Sequence, residues 1–228
     1  MSEGQGTFID QKEFLKRMKA IASDLWGDTA SAEDETPEAE ESSEQKPQVT
    51  EAHEPESRKA DIRSLWKTAD ETIDWTDALA HSTPADGLTG IRLWTFYHKY
   101  AEKVLAGDLS AYTEVLQKAN PLGELTEYPE SITMQAPSPD RLESRFVCRK
   151  ELLEENHELY LAAMGLRIAR DLLACLPVEE VSVTGDHDGE TVFTVTFTRQ
   201  QLLHRNFVFT DPVALAKECG ASFQKISH

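Results

Sequence analysis

One stretch of the sequence, residues 151–176, constrains the fold more than any other. From Leu159 onward, its only charged residues are Arg167, Arg170 and Asp171. A helix that is apolar nearly all round is buried on several sides. Arg167 and Asp171 stand four residues apart and can pair on the one wet stripe of this helix. The sequence therefore predicts a central helix with the rest of a domain packed around it.

Two predicted hairpins flank this helix along the chain. Apolar and polar residues alternate over 129–136 and again over 142–148, as they do in half-buried strands. The same alternation recurs over 181–183 and 193–197, and an Asp-Gly pair between them is a strong hairpin signal. We therefore expect an α+β domain at 121–228 in the order ββα-ββα, with a four-stranded antiparallel sheet packed on the buried helix.

The preceding residues, 59–120, are predicted to be helical. An amphipathic stretch covers 59–80, a longer stretch rich in aromatic residues covers about 89–106, and a short one covers about 109–119. We expect a helical hairpin or small bundle that forms one folded unit with 121–228. The chain as a whole then has a helical N-terminal half followed by the α+β domain.

The first 58 residues differ in kind from the rest. Apolar residues over 8–26 recur at the spacing of one helix face, so residues 1–27 are predicted to hold an amphipathic helix. Residues 28–58 contain eleven acidic residues, two basic residues and no aromatic residue. Such a segment buries too little apolar surface to offset its chain entropy. We therefore expect a disordered acidic linker that tethers the N-terminal helix to the body.

The charge of the chain limits its partners. A formal net charge of −18 repels nucleic acid and anionic membranes. No apolar run approaches the roughly 18–20 residues that a membrane span needs. Residues 1–30 also lack the basic, apolar and small-residue order of a signal peptide. We expect a cytoplasmic protein that binds a protein partner or itself.

No motif in the sequence announces a catalytic or metal site. Cys148, Cys175 and Cys219 lack metal-ligand spacing and lie beside apolar residues, so buried free thiols are expected. The acidic cluster at 186–190 matches a calcium loop poorly, because the position of the last ligand falls on Val195, and a hairpin turn is favoured. HExxH and phosphate-loop patterns are absent. We therefore predict no cofactor and no catalytic or metal-binding residue.

The leading hypothesis is a binding or adaptor protein rather than an enzyme. In it, the helix at 8–26 docks into the groove of a partner or of another copy of this chain. Tryptophan and large apolar side chains are efficient anchors in such recognition. The predicted partner-binding residues are Phe14, Met18, Leu25 and Trp26.

Two alternatives stay open at this point. One is an enzyme or small-ligand-binding domain whose site lies between the sheet and the helical half. Its candidate residues are Glu143, Arg145, Arg167 and Asp171. The other is an acidic mimic of nucleic acid, which is weakened because half of the net charge lies in a linker expected to be disordered.

Overall fold

The computed structural model describes residues 9–10, 61–84 and 90–224 of the 228-residue chain. Most of the predicted N-terminal helix, and the whole of the predicted linker at 28–58, lie outside the described residues. Ile9 and Asp10 form a short strand.

Strands and helices follow one another in a mixed order along the described chain. The elements are β1 (Ile9–Asp10), a 3-10 turn (Leu65–Lys67), α1 (Trp75–Ala80), α2 (Ile91–Leu105), α3 (Leu109–Ala119), a second 3-10 turn (Gly123–Leu125), β2 (Pro129–Ser138), β3 (Arg141–Cys148), α4 (Lys150–Glu155), α5 (His157–Cys175), β4 (Glu180–His187), β5 (Glu190–Thr198), α6 (Arg199–Leu202), α7 (Pro212–Glu218) and β6 (Ser222–Phe223). Among the described helices, none combines the length and apolarity that crossing a membrane requires.

Capping residues set several of the helix boundaries. The carboxylates of Asp74, Asp108 and Asp211 accept hydrogen bonds from free N–H groups in the first turns of α1, α3 and α7. At the other end of α3, Asn120 adopts the left-handed conformation, with φ of 48°. This conformation is typical of the residue that ends a helix, and Asn tolerates it well.

The sheet is mixed, and the described residues contribute six strands to it in the order β1-β2-β3-β4-β5-β6. Neighbours pair in antiparallel fashion except β3 and β4, which are parallel, with Arg141 opposite Glu180 and Phe146 opposite Gly185. The predicted four-stranded antiparallel sheet is therefore wrong in its strand number and in its central pair. The helices between β3 and β4 form the crossover connection that adjacent parallel strands need.

The predicted helix at 151–176 is divided in two. Asn156 leaves the helical region, with φ of −158° and ψ of 86°, and its side chain accepts a hydrogen bond from Leu159 N at the start of α5. The ββα-ββα order is thereby replaced by one with two helices, α4 and α5, between the hairpins, and a terminal strand after α7.

The α5 helix forms the centre of the core. Its Tyr160 packs edge-on against Phe146 of β3, with ring centroids 6.3 Å apart. Gly165 lies so close to the sheet that an added Cβ would come 2.7 Å from the ring of Phe193. Buried side chains from α2 and α3, including Trp94 and Tyr112, belong to the same apolar cluster. The helical half and the sheet therefore share one core.

The segment between the first 3-10 turn and α1 is not the helix predicted at 59–80. Residues 68–74, here called the strap, have no regular secondary structure. The backbone groups of the strap bind α5 instead: Asp70 N donates to Asp171 Oδ1 over 2.9 Å, and Ile73 N donates to the carbonyl oxygen of Ala174 over 2.9 Å. Contacts with α5 therefore override the local amphipathic pattern.

Candidate functional site

A cavity of about 470 Å³ opens between the strap, the beginning of α2 and the end of α5. Its volume falls in the range of roughly 300–1,000 Å³ that is usual for ligand sites. We call it the strap cavity. Among the described residues, the lining includes four carboxylates and two aromatic residues and contains no Lys, Arg or His; the six residues are Asp70, Glu71, Asp74, Asp77, Trp94 and Tyr97.

The four carboxylates of the strap cavity differ in whether they already form hydrogen bonds or ion pairs. Asp74 caps α1 by accepting from Thr76 N and Asp77 N, each over 2.9 Å. Asp77 Oδ1 lies 2.7 Å from Nδ1 of His81. Within the described part of the chain, neither a hydrogen bond nor an ion pair engages the carboxylates of Asp70 and Glu71. These two acids are therefore available to a ligand.

The surroundings of Asp70 alter its acidity. The pKa of its carboxyl group is raised because removal from solvent outweighs the attraction of Arg167, and the negative charge of Glu124 adds to the rise. A cation bound in the strap cavity would reverse this effect, because a nearby positive charge favours the ionised carboxylate.

The aromatic side of the cavity is held by buried contacts. Trp94 Nε1 donates to the carbonyl oxygen of His81 over 3.0 Å, which fixes the indole. The ring of Tyr97 meets Trp75 edge-on, with centroids 5.4 Å apart. Trp75 Nε1 in turn donates to the carbonyl oxygen of Cys175 over 3.0 Å. The aromatic surface is therefore fixed before any ligand arrives.

The hydroxyl of Tyr97 is the unusual polar group of this site. The residue is only 6% exposed, and its hydroxyl makes no hydrogen bond to any residue that the structure describes, although it is not one of the solvent-inaccessible polar atoms without a partner. Burial raises the pKa of Tyr97, with Cys175 and Asp70 adding to the rise, so the phenol stays neutral. The strap cavity thus contains a polar group that a ligand can satisfy.

An ion pair beneath the strap holds Asp70 in place. Arg167 Nε donates to Asp171 Oδ2 over 2.6 Å, while its other nitrogens reach Thr68 Oγ1 at 2.7 Å and Glu124 Oε2 at 3.0 Å. Asp171 is 0% exposed and Arg167 is 4% exposed. The predicted pairing of these two residues is present, but its placement on a wet stripe is wrong, because the strap covers them.

Burial also changes the acidity of Asp171. Desolvation raises its pKa to about 7, against the opposing attraction of Arg167 and the hydrogen bonds from Asp70 N and Arg167. Desolvation is the largest cause because the carboxyl group lies in the interior, where its ionised form loses the stabilisation of water.

The other two candidates of the ligand-binding alternative lie elsewhere. Glu143 accepts from Gln135 Nε2 over 2.8 Å and pairs with Arg141 at 3.1 Å. Arg145 pairs with Asp186 of β4. These side chains occupy the sheet face opposite α5, so the sheet separates them from Arg167 and Asp171. The sheet therefore separates the two pairs of candidate residues, and the strap cavity lies between the helical half and α5.

Several other predicted features can be located. Asp188 and Gly189 have φ of 51° and 83° and form the turn between β4 and β5, as predicted for the cluster at 186–190.

The described residues contain no group of three or more side chains suited to hold a metal ion. The predicted partner-binding residues lie outside the described part; they are Phe14, Met18, Leu25 and Trp26.

The cysteines are free thiols, but they are not all buried. Cys148 and Cys175 lie in the interior, whereas Cys219 is partly exposed. Burial raises the pKa of Cys148 to about 12, with contributions from Asp186 and Glu130, and raises that of Cys175 as well. Both interior thiols therefore stay protonated, which makes them poor nucleophiles.

Sequence reasoning missed the strap cavity because it assigned residues 59–80 to a helix. A signal was nevertheless present in the four acids between Asp70 and Asp77. If residues 59–80 formed an amphipathic helix, these four acids would lie on its solvent-exposed face. In the folded chain, only Asp77 of this group lies in a helix, and the preceding three line the cavity from the irregular strap.

Comparison of the chain with protein-family models, with curated proteins and with solved structures finds no match.

Proposed function

We propose that this protein is a binding protein that receives a cationic group of a protein partner, such as a Lys or Arg side chain, in the strap cavity. The observation that carries the proposal is that two carboxylates, Asp70 and Glu71, line one cavity with Tyr97, and that neither these carboxylates nor the Tyr97 hydroxyl has a hydrogen-bond partner among the described residues. The lining offers negative charge, aromatic residues and a polar group at one partly open cavity.

Electrostatics favour a cation over a neutral or anionic ligand. The lining carries four carboxylates and no basic side chain. In a recess with low-dielectric walls, charges of one sign concentrate the local field and raise the concentration of counter-ions. The net charge of −18 adds a long-range attraction for a basic partner, and this attraction weakens as salt increases.

The aromatic rings favour an organic cation over a hydrated metal ion. A guanidinium or ammonium group near the face of Trp or Tyr gains roughly 0.5–2 kcal/mol, depending on how far it is desolvated. Trp94 and Tyr97 provide such surfaces, and Asp70 and Glu71 provide acceptors for the N–H groups of the ligand. The Tyr97 oxygen can accept one further hydrogen bond.

Calorimetric titration of the full-length protein with small probes tests this function. The probes are butylguanidinium, butylammonium and tetramethylammonium, which represent Arg, Lys and methylated Lys side chains. Butylurea, a neutral counterpart of butylguanidinium, is the control ligand. We expect saturable binding of at least one cation and none of butylurea. Equal binding of butylurea, or no binding of any cation, contradicts the proposal.

Two variants and one matched control locate the binding. Glu71→Gln removes an exposed, unengaged charge, and we expect it to weaken cation binding about two- to fivefold. Tyr97→Phe removes only the hydroxyl, with an expected loss of about two- to tenfold. Glu114→Gln makes the same charge change on α3, outside the cavity lining, and should leave affinity unchanged. A similar loss in all three variants would indicate a general charge effect.

A second candidate function is the adaptor role of the N-terminal segment. The observation that bears on it is the pairing of β1, at the edge of the sheet, with β2, in which Ile9 lies opposite Met134 and Asp10 opposite Thr133. This pairing attaches the start of the segment to the sheet edge. A partner of the predicted helix at 8–26 would then bind beside the sheet, rather than at the end of a free tether.

Sedimentation measurements test the self-association form of this second function. The variant carries alanine at four positions: Phe14, Met18, Leu25 and Trp26. If the segment docks on another copy of the chain, the full-length protein forms dimers at micromolar concentration and the variant is monomeric. Identical sedimentation of both proteins contradicts self-docking. Deleting residues 1–27 without losing any bound partner contradicts the adaptor role as a whole.

A further inference from the structure

A second cavity, of about 330 Å³, lies on the other side of the strap. Its lining differs in charge from that of the strap cavity, although Asp70 and Thr72 border both. Asp70 is its only acidic residue, against three arginines and one histidine, and we call it the arginine cavity. Its basic residues are Arg170, Arg199, His204 and Arg205.

Among the described residues, the hydrogen bonds of two of these arginines go to carbonyl oxygens. Arg170 Nη1 donates to the carbonyl oxygens of Trp66 and Thr68. Arg199 Nη2 donates to the carbonyl oxygens of Leu173 and Leu176 at the end of α5, each over 2.8 Å. Carbonyl dipoles hold these guanidinium groups in place, but they do not neutralise them.

Neither Arg170 nor Arg199 forms an ion pair within the described residues. Other arginines of the protein do so, as Arg205 shows by pairing with Glu218 at 2.6 Å. Partial burial lowers the pKa of both Arg170 and Arg199, since removal from solvent disfavours their charged forms, while the charge of Asp171 raises that of Arg170 and the charge of Glu179 raises that of Arg199. Because no carboxylate among the described residues forms an ion pair with either guanidinium group, both can bind an anion at the cavity.

The remaining lining is apolar. The guanidinium carbon of Arg170 lies 3.7 Å from the ring centroid of Phe207, so the ring orients the charged group. Leu173 and Leu202 form a buried wall, and Leu203 lies at the rim with 53% of its surface exposed. A ligand that fits this lining has an apolar part as well as a charge.

We propose that the arginine cavity binds a small organic anion, in which a carboxylate or phosphate group is joined to a compact apolar group. The planar guanidinium fork matches both kinds of oxyanion. His204, which adopts a left-handed backbone conformation with φ of 61°, belongs to the same lining. The two cavities share Asp70 and Thr72, but ligands of opposite charge test the two proposals, so one proposal can fail without the other.

Binding measurements on the full-length chain test this proposal. The probes are phenylacetate, phenyl phosphate, inorganic phosphate and the neutral phenylacetamide. We expect phenylacetate or phenyl phosphate to bind saturably, and to bind more tightly than inorganic phosphate. The stronger of the two identifies the preferred oxyanion. Failure of both organic anions to bind, or equal binding of phenylacetamide, overturns the proposal.

A pair of matched variants locates the bound anion without removing the structural arginines. Leu203→Glu places a carboxylate at the exposed rim, and we expect it to weaken binding roughly tenfold or more through like-charge repulsion. Val208→Glu adds the same charge nearby in the chain, at a residue that is 59% exposed and outside the lining. The affinity of the Val208→Glu variant for the organic anion should stay within about twofold of that of the unmodified protein, because exposed charges are screened. Equal losses in both variants would place the anion elsewhere and refute the assignment.

Discussion

Arg167 and Asp171 form a buried ion pair one turn apart on α5, with Arg167 Nε 2.6 Å from Asp171 Oδ2. The carboxylate also accepts a hydrogen bond from Asp70 N, so the same group holds the strap that borders both cavities. The position of Asp70, and with it the cation site, therefore depends on a side chain that no ligand touches.

Replacing Asp171 with alanine is expected to cost about 3–5 kcal/mol of unfolding free energy, because it leaves the Arg167 charge in the interior without its closest partner. Urea unfolding at pH 8, where Asp171 is ionised, measures this loss. The control is Glu154→Ala, which removes an exposed partner of Lys150 at 3.8 Å and should cost no more than about 0.5 kcal/mol. Similar losses in the two variants would mean that burial adds nothing to the Arg167–Asp171 pair.

The raised pKa of Asp171 predicts a pH dependence with a definite sign. The folded protein keeps this proton up to about pH 7, whereas the unfolded chain releases it near the ordinary value of 3.8. The folded state therefore binds more protons between these values, and the contribution of Asp171 to stability decreases as pH rises through this window.

This pH dependence is measured as the difference in unfolding free energy between the natural protein and Asp171→Asn, which cannot titrate at this position. We expect the difference to fall between about pH 4 and pH 7 and to be flat above pH 8. A difference that grows with pH in this window would mean that Arg167 depresses the pKa of Asp171 instead.

Gly165→Ala is expected to destabilise the fold. The added Cβ would lie 2.7 Å from Phe193 Cε1, in the fully buried contact between α5 and β5. Overpacking costs about 1–3 kcal/mol, while the better helix propensity of alanine returns at most about 1 kcal/mol. Thermal and urea unfolding should show a net loss.

A second substitution tests whether Phe193 is the cause of this loss. In the double variant with Phe193→Leu, the smaller side chain makes room for the new Cβ. Its total loss should therefore be smaller than the sum of the two single losses, by about 0.5–3 kcal/mol. Additive losses would show that the clash is relieved elsewhere.

Much of the local structure could be predicted because its signals are local. The turn between β4 and β5 follows from an Asp-Gly pair, and α3 begins and ends where Asp108 and Asn120 stand. The burial of α5 follows from a run of apolar residues that only Arg167, Arg170 and Asp171 interrupt after Leu159. Such features depend on a few neighbouring residues, so the sequence pattern suffices.

The strap could not be predicted, because long-range contacts decide its conformation. The apolar spacing of Ile62, Leu65 and Trp66 fits a helix, but the backbone of the following residues bonds to Arg170 and Asp171, over 100 positions away. The parallel pairing of β3 and β4 has a similar origin. It is set by the path of the helices between them, whereas strand alternation is the same in parallel and antiparallel pairs.

The proposed cation site could not be predicted from the sequence either, because long-range contacts bring its residues together. Its acids come from the strap and its aromatic residues come from α2, where Trp94 and Tyr97 had a sufficient explanation as core residues. Both are indeed buried. What sequence could not supply is that the hydroxyl of Tyr97 has no partner among the described residues.

The cation site is tested most directly by the indole N–H signals in a ¹H–¹⁵N NMR titration of the full-length protein with butylguanidinium. Trp94 lines the strap cavity, and Trp66, whose Nε1 donates to the carbonyl oxygen of Thr210 over 2.9 Å, is an internal control outside the lining. We expect a saturable shift of the Trp94 signal, no shift of the Trp66 signal, and no effect of sodium chloride at equal ionic strength. An unmoved Trp94 signal, or an equal response to sodium chloride, would contradict a cation-binding function.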